Sequence, residues 1–558
     1  MTKDLLNSNI ATVFYWLCAI FKNVIVFRIL KNINKCMHFF QNIKNMPERK
    51  LPNLSCILQE NIKNKIINII EGWIERLLEM QHMENCIVIE RLQGICQESK
   101  DLSQYLSDLL PSILFQILPN TIHKTFELLE ELITKSTFHS DKRDLFYQFC
   151  RCVLGSISFK CFEDYDLQKY TNNTIMELAF EILPMVCNIT WLRISSYYEW
   201  KLESLDRMAG LTNLKVFTYR CMCTNEIVAQ LSLCCTLLKV LDIKSSKKVD
   251  EDSVENIILL KYLKFVDVSE TTISSHGYKQ ILKELANIKN IAWNGPIETV
   301  TTSVSYEKAM NITKVKVIIR ESASLHEKFL NITDLSLKTC NERVDLANLS
   351  LLTNLKNIKL HGYEFIRDNL RGFFEVAGGN LIQLKMKGIK YLDLITVLCH
   401  CRNLKSLALI LNDMTMDNEI SMDLCLPHFN SLETFEFTIN PAENDVFNFI
   451  YLYDNLKTFR SSRNFKTSDN FVRNIVHSDG FRNLRVFYAK FCPLSRETAN
   501  LLIDTCENLS ILGDLRHWFG MRIPDFEDLK RRIRLENLDV TLIMNGTRWS
   551  ILNHLIIV

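Results

Sequence analysis

The chain has 558 residues, of which 47% are hydrophobic and 23% charged, and its formal net charge is +2. This length exceeds what one ordinary hydrophobic core supports, so we expect several domains or one repeat array. The near-neutral charge gives no bulk argument for a nucleic-acid or membrane partner. The 19 cysteines are scattered, which favours reduced thiols in a cytoplasmic or nuclear protein over a secreted disulfide framework.

Residues 1–45 form an N-terminal segment marked by an unbroken apolar run from Ile10 to Phe21. This run is shorter than the roughly 20 residues that a membrane-spanning helix needs. A signal peptide is disfavoured because Asp4 follows the only early lysine and no small-residue cleavage site comes after the run. Three interpretations stay open: a buried or amphipathic helix, a signal anchor, or an extension upstream of a start at Met46.

Residues 46–180 have helical periodicity. Apolar residues recur mostly three and four positions apart, which places them on one face of a helix. The clearest such face comprises Ile66, Ile67, Ile70, Trp73, Ile74, Leu77 and Leu78. Several helices of this kind in series predict an α-helical block that packs as a bundle or short helical solenoid and covers the open end of the neighbouring domain.

From residue 181 to 515 the pattern L-x-x-L-x-L returns about every 25 residues, in about 14 copies, which indicates a repeat array. The first apolar positions of the copies are Ile189, Leu214, Leu238, Leu263, Ile288, Ile312, Ile332, Leu355, Leu381, Leu404, Leu432, Leu456, Leu484 and Leu509. The last two apolar positions of a copy lie two residues apart, so both face the same side of a strand. The array therefore predicts a parallel sheet with helices between its strands.

One copy, from Cys401 to Asn412, reads C-x-N-L-x-x-L-x-L-x-x-N. Units of this length, with helical segments between the strands, resemble the ribonuclease-inhibitor-like class of leucine-rich repeats. The C-x-N-L variant, which returns at Cys506–Leu509, resembles the cysteine-containing repeats of F-box/LRR proteins. The resemblance covers residues 181–515. It implies an α/β solenoid in which a curved parallel sheet is backed by convex helices, after an α-helical N-terminal block.

Residues 516–558 leave the repeat pattern. We expect a short helix over Phe526–Arg534 and a strand over Leu538–Met544. Because an open repeat end would expose apolar core, this region is interpreted as the C-terminal cap.

The resemblance raises the question of whether the helical block contains a ligase-adaptor box, since many F-box/LRR proteins carry one ahead of their repeats. Leu110–Leu118 resembles the start of an F-box but departs from it at Pro119, and no clear downstream tryptophan completes the pattern. Leu51–Cys56 resembles the leucine-cysteine start of an elongin-binding box, with a different spacing. The block is therefore interpreted in one of two ways: as an adaptor-binding box or as a plain helical cap.

The sequence contains no H-E-x-x-H, G-x-S-x-G, P-loop or G-x-G-x-x-G motif, so we predict a protein that is not an enzyme and has no cofactor. Three cysteine groups could suggest a metal site: Cys221 with Cys223, Cys234 with Cys235, and Cys399 with Cys401. They lack the paired C-x2–4-C spacing of zinc sites. We therefore predict no metal and interpret these residues as buried structural thiols.

The outward strand positions give the candidate binding surface. Side chains alternate along a strand, so the second, fourth and sixth residues after each first position face away from the core. In the four units from Ile312 to Leu381 these positions carry one aspartate, Asp334, against seven basic residues. The basic residues are Lys314, Lys316, Lys338, Lys359, His361, Lys385 and Lys387.

Three interpretations of this concave strip stay open. It is a solvated face, a docking strip for an acidic or phosphorylated protein segment, or a nucleic-acid surface. The last is disfavoured because no aromatic residues interleave with the lysines.

These observations predict a non-enzymatic protein-interaction module. The resemblance to F-box/LRR proteins implies a more specific function, the substrate-recognition subunit of a cullin-type ubiquitin ligase. In that interpretation the helical block binds the ligase adaptor and the concave face binds the target. The alternatives are an intracellular scaffold or inhibitor without a ligase link, and a membrane-anchored or secreted leucine-rich repeat receptor. The sequence identifies neither the partner nor the oligomeric state.

Overall fold

The computed structural model describes residues 54–79, then 91, 93–95, 97–98, 101–102, 125 and 128, and residues 164–543 with gaps. The gaps in the last range are 169–172, 182, 184–187, 303, 320–324, 340–345, 363–366, 390–393, 411–430, 439–454, 463–466 and 478–479. The chain divides between Ile69 and Ile70 into two compact units. The apolar run Ile10–Phe21 and the F-box-like stretch Leu110–Leu118 lie outside the described residues.

The first described element is the long helix α1, Leu54–Glu79. Its predicted apolar face is buried at Ile66, Ile67, Ile70, Trp73 and Ile74, while the side chains of 77 and 78 lie outside the described part. Within the second unit, two side chains near the C-terminal end of α1 donate hydrogen bonds to the carboxylate of Glu98. Trp73 Nε1 donates to Glu98 Oε2 over 2.7 Å, and the guanidinium of Arg76 donates to both oxygens of the same group.

Eighteen strands are described, and every pairing between them is parallel. They are β1 Asp164–Asp166, β2 Trp191–Ile194, β3 Val216–Tyr219, β4 Val240–Asp242, β5 Phe265–Asp267, β6 Asn290–Pro296, β7 Lys314–Ile319, β8 Asp334–Thr339, β9 Asn357–His361, β10 Gln383–Lys387, β11 Ser406–Ile410, β12 Thr434–Thr438, β13 Thr458–Ser462, β14 Val486–Lys490, β15 Cys492–Ser495, β16 Ile511–Gly513, β17 Trp518–Gly520 and β18 Thr541–Leu542.

The strands form sheets in chain order. Strands β1 to β5 make one sheet, and β6 to β14 continue with β16 and β18 in a sheet of 11 strands. Strand β6 lies beside β5, where the Lys289 amide donates to the Lys264 carbonyl over 2.9 Å. Strands β15 and β17 pair separately. Consecutive parallel neighbours of this kind require a crossover between every two strands.

Helices of varied length supply these crossovers. After α1 they are α2 Asn173–Glu181, α3 Asn225–Cys234, α4 Ser253–Leu259, α5 Ser275–Glu284, α6 Glu298–Thr301, α7 Tyr306–Asn311, α8 Leu325–Lys328, α9 Arg367–Ala377, α10 Leu394–His400, α11 Asp469–His477, α12 Arg496–Thr505 and α13 Ile523–Leu535. Four 3-10 segments lie at Leu202–Gly210, Ala347–Leu351, Gly378–Asn380 and Leu515–His517. Serine side chains start several helices; Ser274 Oγ, for example, accepts from two backbone amides of α5.

The predicted repeat pattern matches the strands unit by unit. Every one of the 14 first positions is buried, with at most 5% of its surface exposed. In each unit the strand begins two residues after that position. The α/β solenoid predicted from the sequence is therefore confirmed, because one buried position per repeat sets the start of each strand.

Two features near the ends of the array differ from the sequence prediction in detail. Strand β1 falls inside the stretch predicted as helical, because Tyr165 and Leu167, two residues apart, are both fully buried in the alternation of a strand. At the other end, α13 begins three residues before the helix predicted over Phe526–Arg534, and the strand predicted over Leu538–Met544 is observed only at Thr541–Leu542. Strand β18 adds a last parallel neighbour to β16.

A row of asparagines, missed by the sequence analysis, ties successive units together. Asn287, Asn331, Asn354 and Asn403 each directly precede the first position of a unit. Each side-chain amide donates to a backbone carbonyl of the preceding unit, over 3.0, 2.9, 3.3 and 2.7 Å respectively. These bonds satisfy carbonyls at the edge where the chain enters each strand.

Candidate binding surface

The strands of the concave face present alternating side chains, as predicted. In β9, Ile358 and Leu360 are buried whereas Lys359 and His361 are exposed. In β10, Leu384 and Met386 are buried and the lysines between and after them reach solvent. The charged side chains of these strands therefore lie on the side of the sheet opposite the core.

The parallel register brings five of the seven predicted basic residues together. Lys338 of β8, His361 of β9 and Lys387 of β10 are direct neighbours in one row. Lys359 and Lys385 are neighbours in the next row. Adjacent strands lie about 4.8 Å apart, so the Cα atoms of neighbouring residues within a row are separated by about that distance. We call these five residues the basic cluster.

The other two predicted residues lie on β7 and have carboxylate partners. Lys316 Nζ is 2.7 Å from Asp267 Oδ2, and the Asp267 side chain is only 4% exposed. Lys314 Nζ is 3.9 Å from Asp334 Oδ1. The structure thus separates Lys316 from the basic cluster, because a buried carboxylate offsets its charge. Lys314 is separated because its strand neighbours in the same row are Asp334 and Asn357, with no second lysine.

Within the basic cluster, charge compensation is sparse. Lys385 Nζ lies 3.9 Å from Glu436 Oε2 of β12, a distant ion pair. In the part of the chain that the structure describes, Lys338, Lys359, His361 and Lys387 have no carboxylate partner. This leaves three lysines and one histidine without a counter-charge on three adjacent strands.

The electrostatic environment of the cluster is visible in two pKa shifts. Desolvation lowers the pKa of Lys359, and repulsion from Lys385 lowers it further, against a smaller opposite effect of Asp334. Desolvation also lowers the pKa of His361, followed by repulsion from Lys387 and Lys338. The repulsion that contributes to both shifts comes from lysines of the cluster, and an anion bound among them would offset it.

Upstream strands of the concave face differ, because their charges pair with one another. Arg193 Nη1 is 3.1 Å from Asp166 Oδ2, and Arg220 Nη2 is 2.5 Å from Asp242 Oδ2. Lys244 similarly pairs with Glu270 over 3.2 Å. The uncompensated charge is therefore a local property of β8 to β10.

The sequence pattern did not reveal the carboxylates that pair with two of the predicted lysines, Asp267 with Lys316 and Glu436 with Lys385. Asp267 stands at the same outward strand position as Lys316, two strands away, so aligning the repeat units by position would have suggested the pair. Glu436 is two strands from Lys385 in the same way. Both contacts join residues that are about 50 positions apart in the sequence, so neither is visible within a single repeat unit.

The cysteine groups give no sign of a metal site. Among the described residues, no group of three or more His, Cys, Asp or Glu side chains is arranged to hold a metal ion. Burial raises the pKa of Cys235 and of Cys401 to about 12, which keeps both thiols protonated. The prediction of buried thiols is confirmed for Cys223, Cys235 and Cys401. It is wrong for Cys221, which is exposed in the turn that leaves β3, and Cys234 and Cys399 are only half-buried.

The fold and its concave surface define the class of protein: this is a leucine-rich repeat solenoid of the α/β type, with 14 strands in register with the repeats. No helix in the described part of the chain is both long enough and apolar enough to cross a bilayer.

No protein-family model matches the sequence, and no curated protein matches it. Several solved structures are similar to this chain at low identity. A chain of the yeast Rad7 and Elc1 complex is 11% identical, with 77% of this chain and 98% of that chain covered and a TM-score of 0.34. A leucine-rich repeat protein of Leptospira interrogans is 15% identical, with coverage of 59% and 80% and a TM-score of 0.28.

A chain of the mouse RP105/MD-1 complex is 10% identical, with 66% of this chain and 70% of that chain covered and a TM-score of 0.30. At these values the likeness carries no argument about function, which has to come from the surface itself.

Proposed function

We propose that the chain is a non-enzymatic protein-binding module whose basic cluster binds an acidic or phosphorylated segment of a partner protein. The observation that carries this proposal is the row Lys338–His361–Lys387, which has no carboxylate partner among the described residues. Uncompensated charges of one sign on a concave face raise the local potential and attract the opposite sign. Partner carboxylates or phosphates would supply charge-assisted hydrogen bonds to the row.

The dimensions of the cluster fit a short extended segment. Three adjacent strands span about 10 Å at a spacing of about 4.8 Å. An extended chain rises about 3.3 Å per residue, so acidic residues at alternate positions would reach successive strands. The cluster holds no Phe, Tyr or Trp side chain for base stacking, which favours a protein segment over single-stranded nucleic acid.

The test is quantitative capture of partners by the tagged full-length chain from cells. We expect the triple variant K338E/K359E/K387E to lose a set of proteins that the unaltered chain retains. A matched control, K247E/K356E/K405E, makes the same charge change on exposed lysines that belong to neither the basic cluster nor the concave strip. Equal retention of all partners by the concave variant would contradict the proposal.

We further propose that this protein-binding module is the substrate-recognition subunit of a cullin-type ubiquitin ligase. This more specific proposal is based on the sequence. Its support is the resemblance of the C-x-N-L repeats to F-box/LRR proteins and the helical pattern that precedes the array. In this proposal the basic cluster selects the substrate while residues 46–180 bind the adaptor. A scaffold or inhibitor without a ligase link is the alternative.

Comparison of the full-length chain with residues 181–558 distinguishes these two functions. If the ligase assignment holds, mass spectrometry of captured proteins is expected to find a cullin and its adaptor with the full-length chain and neither with the shorter one. Partners retained by both chains, with no ligase component on either, would instead support the scaffold.

A further inference from the structure

A second basic surface lies on a different side of the array, at the edge where the chain enters β3 to β6. Lys215, Lys239, Lys264 and Lys289 each directly precede one of these strands. Their backbones are stacked in register. The amides of Lys239, Lys264 and Lys289 each donate to the carbonyl of the preceding lysine of the row, over 2.7, 2.7 and 2.9 Å. We call these four residues the lysine rim.

The lysine rim has almost no counter-charge. The four edge segments 210–215, 233–239, 259–264 and 283–289 contain six lysines and a single acidic residue, Glu284. All four rim lysines are exposed, and none of them has a carboxylate partner within the described part of the chain. By contrast, Lys457, at the equivalent place before β13, pairs with Glu433 over 2.9 Å.

Large apolar side chains are exposed beside the rim. Leu237 and Tyr262 directly precede the first positions of their units and are 42% and 57% exposed. Neighbouring units carry asparagine at this position, bonded to a backbone carbonyl. Leu233 and Leu259, at the ends of α3 and α4, are 73% and 59% exposed. All four lie in the same edge segments as the lysines, so apolar surface is exposed beside the positive charge.

We propose that this edge binds the surface of an anionic membrane, with the lysines at the level of the headgroups and Leu237 and Tyr262 inserted among them. Six lysines against one glutamate attract an anionic partner. Lysine clusters beside exposed leucine and tyrosine are typical of proteins that bind anionic lipid. Because the four lysines are stacked in one row along the edge, they can all contact a flat surface, and no groove is needed.

The test is co-sedimentation of the full-length protein with vesicles of phosphatidylcholine alone or mixed with phosphatidylserine. We expect binding to the mixed vesicles that weakens with added salt, and little binding to the neutral ones. Each lysine contributes roughly fivefold to the partition coefficient, so K215Q/K239Q/K264Q/K289Q is expected to lower it by more than about 100-fold. L237S/Y262S is expected to lower it several-fold without removing any charge.

The matched control is K314Q/K338Q/K359Q/K387Q, which removes the same charge from the concave face. It is expected to keep its lipid binding while losing the protein partner of the basic cluster, so failure of this inference and failure of the proposed function are distinguishable. Circular dichroism checks that each variant is folded.

Three outcomes would overturn the inference: the unaltered protein does not bind anionic vesicles, the rim variant binds them as well as the unaltered protein does, or both lysine variants lose lipid binding to the same extent. Loss of a protein partner from the rim variant without lipid binding would identify an acidic protein face instead.

Discussion

At the scale of single residues, Asp267 determines how much positive charge the concave face retains. Its buried carboxylate accepts from Lys316 Nζ over 2.7 Å, and from the amide and hydroxyl of Ser269 over 3.0 and 2.5 Å. One acidic side chain therefore removes one lysine from the strip predicted from the sequence. The remaining charge lies on β8 to β10.

The variant D267N tests this role. The amide keeps the shape of the side chain but not its charge, so we expect a loss of about 1–3 kcal/mol of stability, measured as a lower thermal midpoint. Lys316 is then free, and affinity for an acidic peptide that binds the concave face is expected to rise several-fold. The double variant D267N/K316M removes that gain. An unchanged affinity in D267N would show that Lys316 does not reach the bound segment.

His361 gives the cluster a pH dependence. Desolvation and the neighbouring lysines lower its pKa in the free protein, so the imidazole is neutral at neutral pH. A bound anion favours the protonated form and raises that pKa. Affinity for a carboxylate-rich peptide is therefore expected to be constant at high pH and to increase as the pH falls through the pKa of the bound state.

Titration of the affinity between about pH 8 and pH 5.5 measures this effect, since peptide carboxylates stay ionised over that range. The variant H361Q is expected to give a flat profile. A rise of equal size in H361Q would assign the pH dependence to another group.

At the scale of elements, the core under β12 to β14 is aromatic. Phe459 lies between Phe435 and Phe487, with ring centroids 6.4 and 5.3 Å away, and all three side chains are fully buried. Aromatic rings bury large areas and favour offset or edge contacts at these distances. This core holds consecutive strands at their common register.

F459A is expected to destabilise the protein by about 3–5 kcal/mol, because it removes a buried ring and leaves a cavity. F459L is the milder control, since it retains most of the volume. Thermal unfolding measures both variants. Because a repeat contacts mainly its neighbours, binding at the basic cluster on β8 to β10 is expected to persist below the unfolding transition. Similar unfolding midpoints for the two variants would contradict this account of the core.

Strand positions were predictable from the sequence because each repeat places an apolar residue at one buried position. Leu404 and Leu456, for example, are fully buried two residues before β11 and β13. Alternation along a strand then predicts which lysines face outward. The repeat pattern does not contain the pairing across strands. The contact of Lys316 with Asp267 depends on how long side chains reach over an intervening strand, and the bonds of Asn354 and Asn403 depend on backbone carbonyls in another unit.

At the scale of the whole molecule, a formal net charge of +2 conceals a strong segregation of charge. Arginine–aspartate pairs neutralise the concave face near β2 and β3, whereas the basic cluster and the lysine rim are uncompensated within the described residues. The net charge of the whole chain averages over these surfaces, so the two basic surfaces are recognised only from the positions of their residues in the solenoid. In the two proposals above, the protein segment and the membrane bind at different surfaces of the array.

The most direct test of the central claim is photo-crosslinking in cells from the concave face. His361 is replaced by benzoylphenylalanine in the full-length chain, and a second chain carries the same group at Tyr306, an exposed position at the start of α7. We predict that crosslinked peptides from position 361 are rich in acidic or phosphorylated residues and are absent from position 306. The same proteins at both positions, or segments without an excess of negative charge at position 361, would contradict the account.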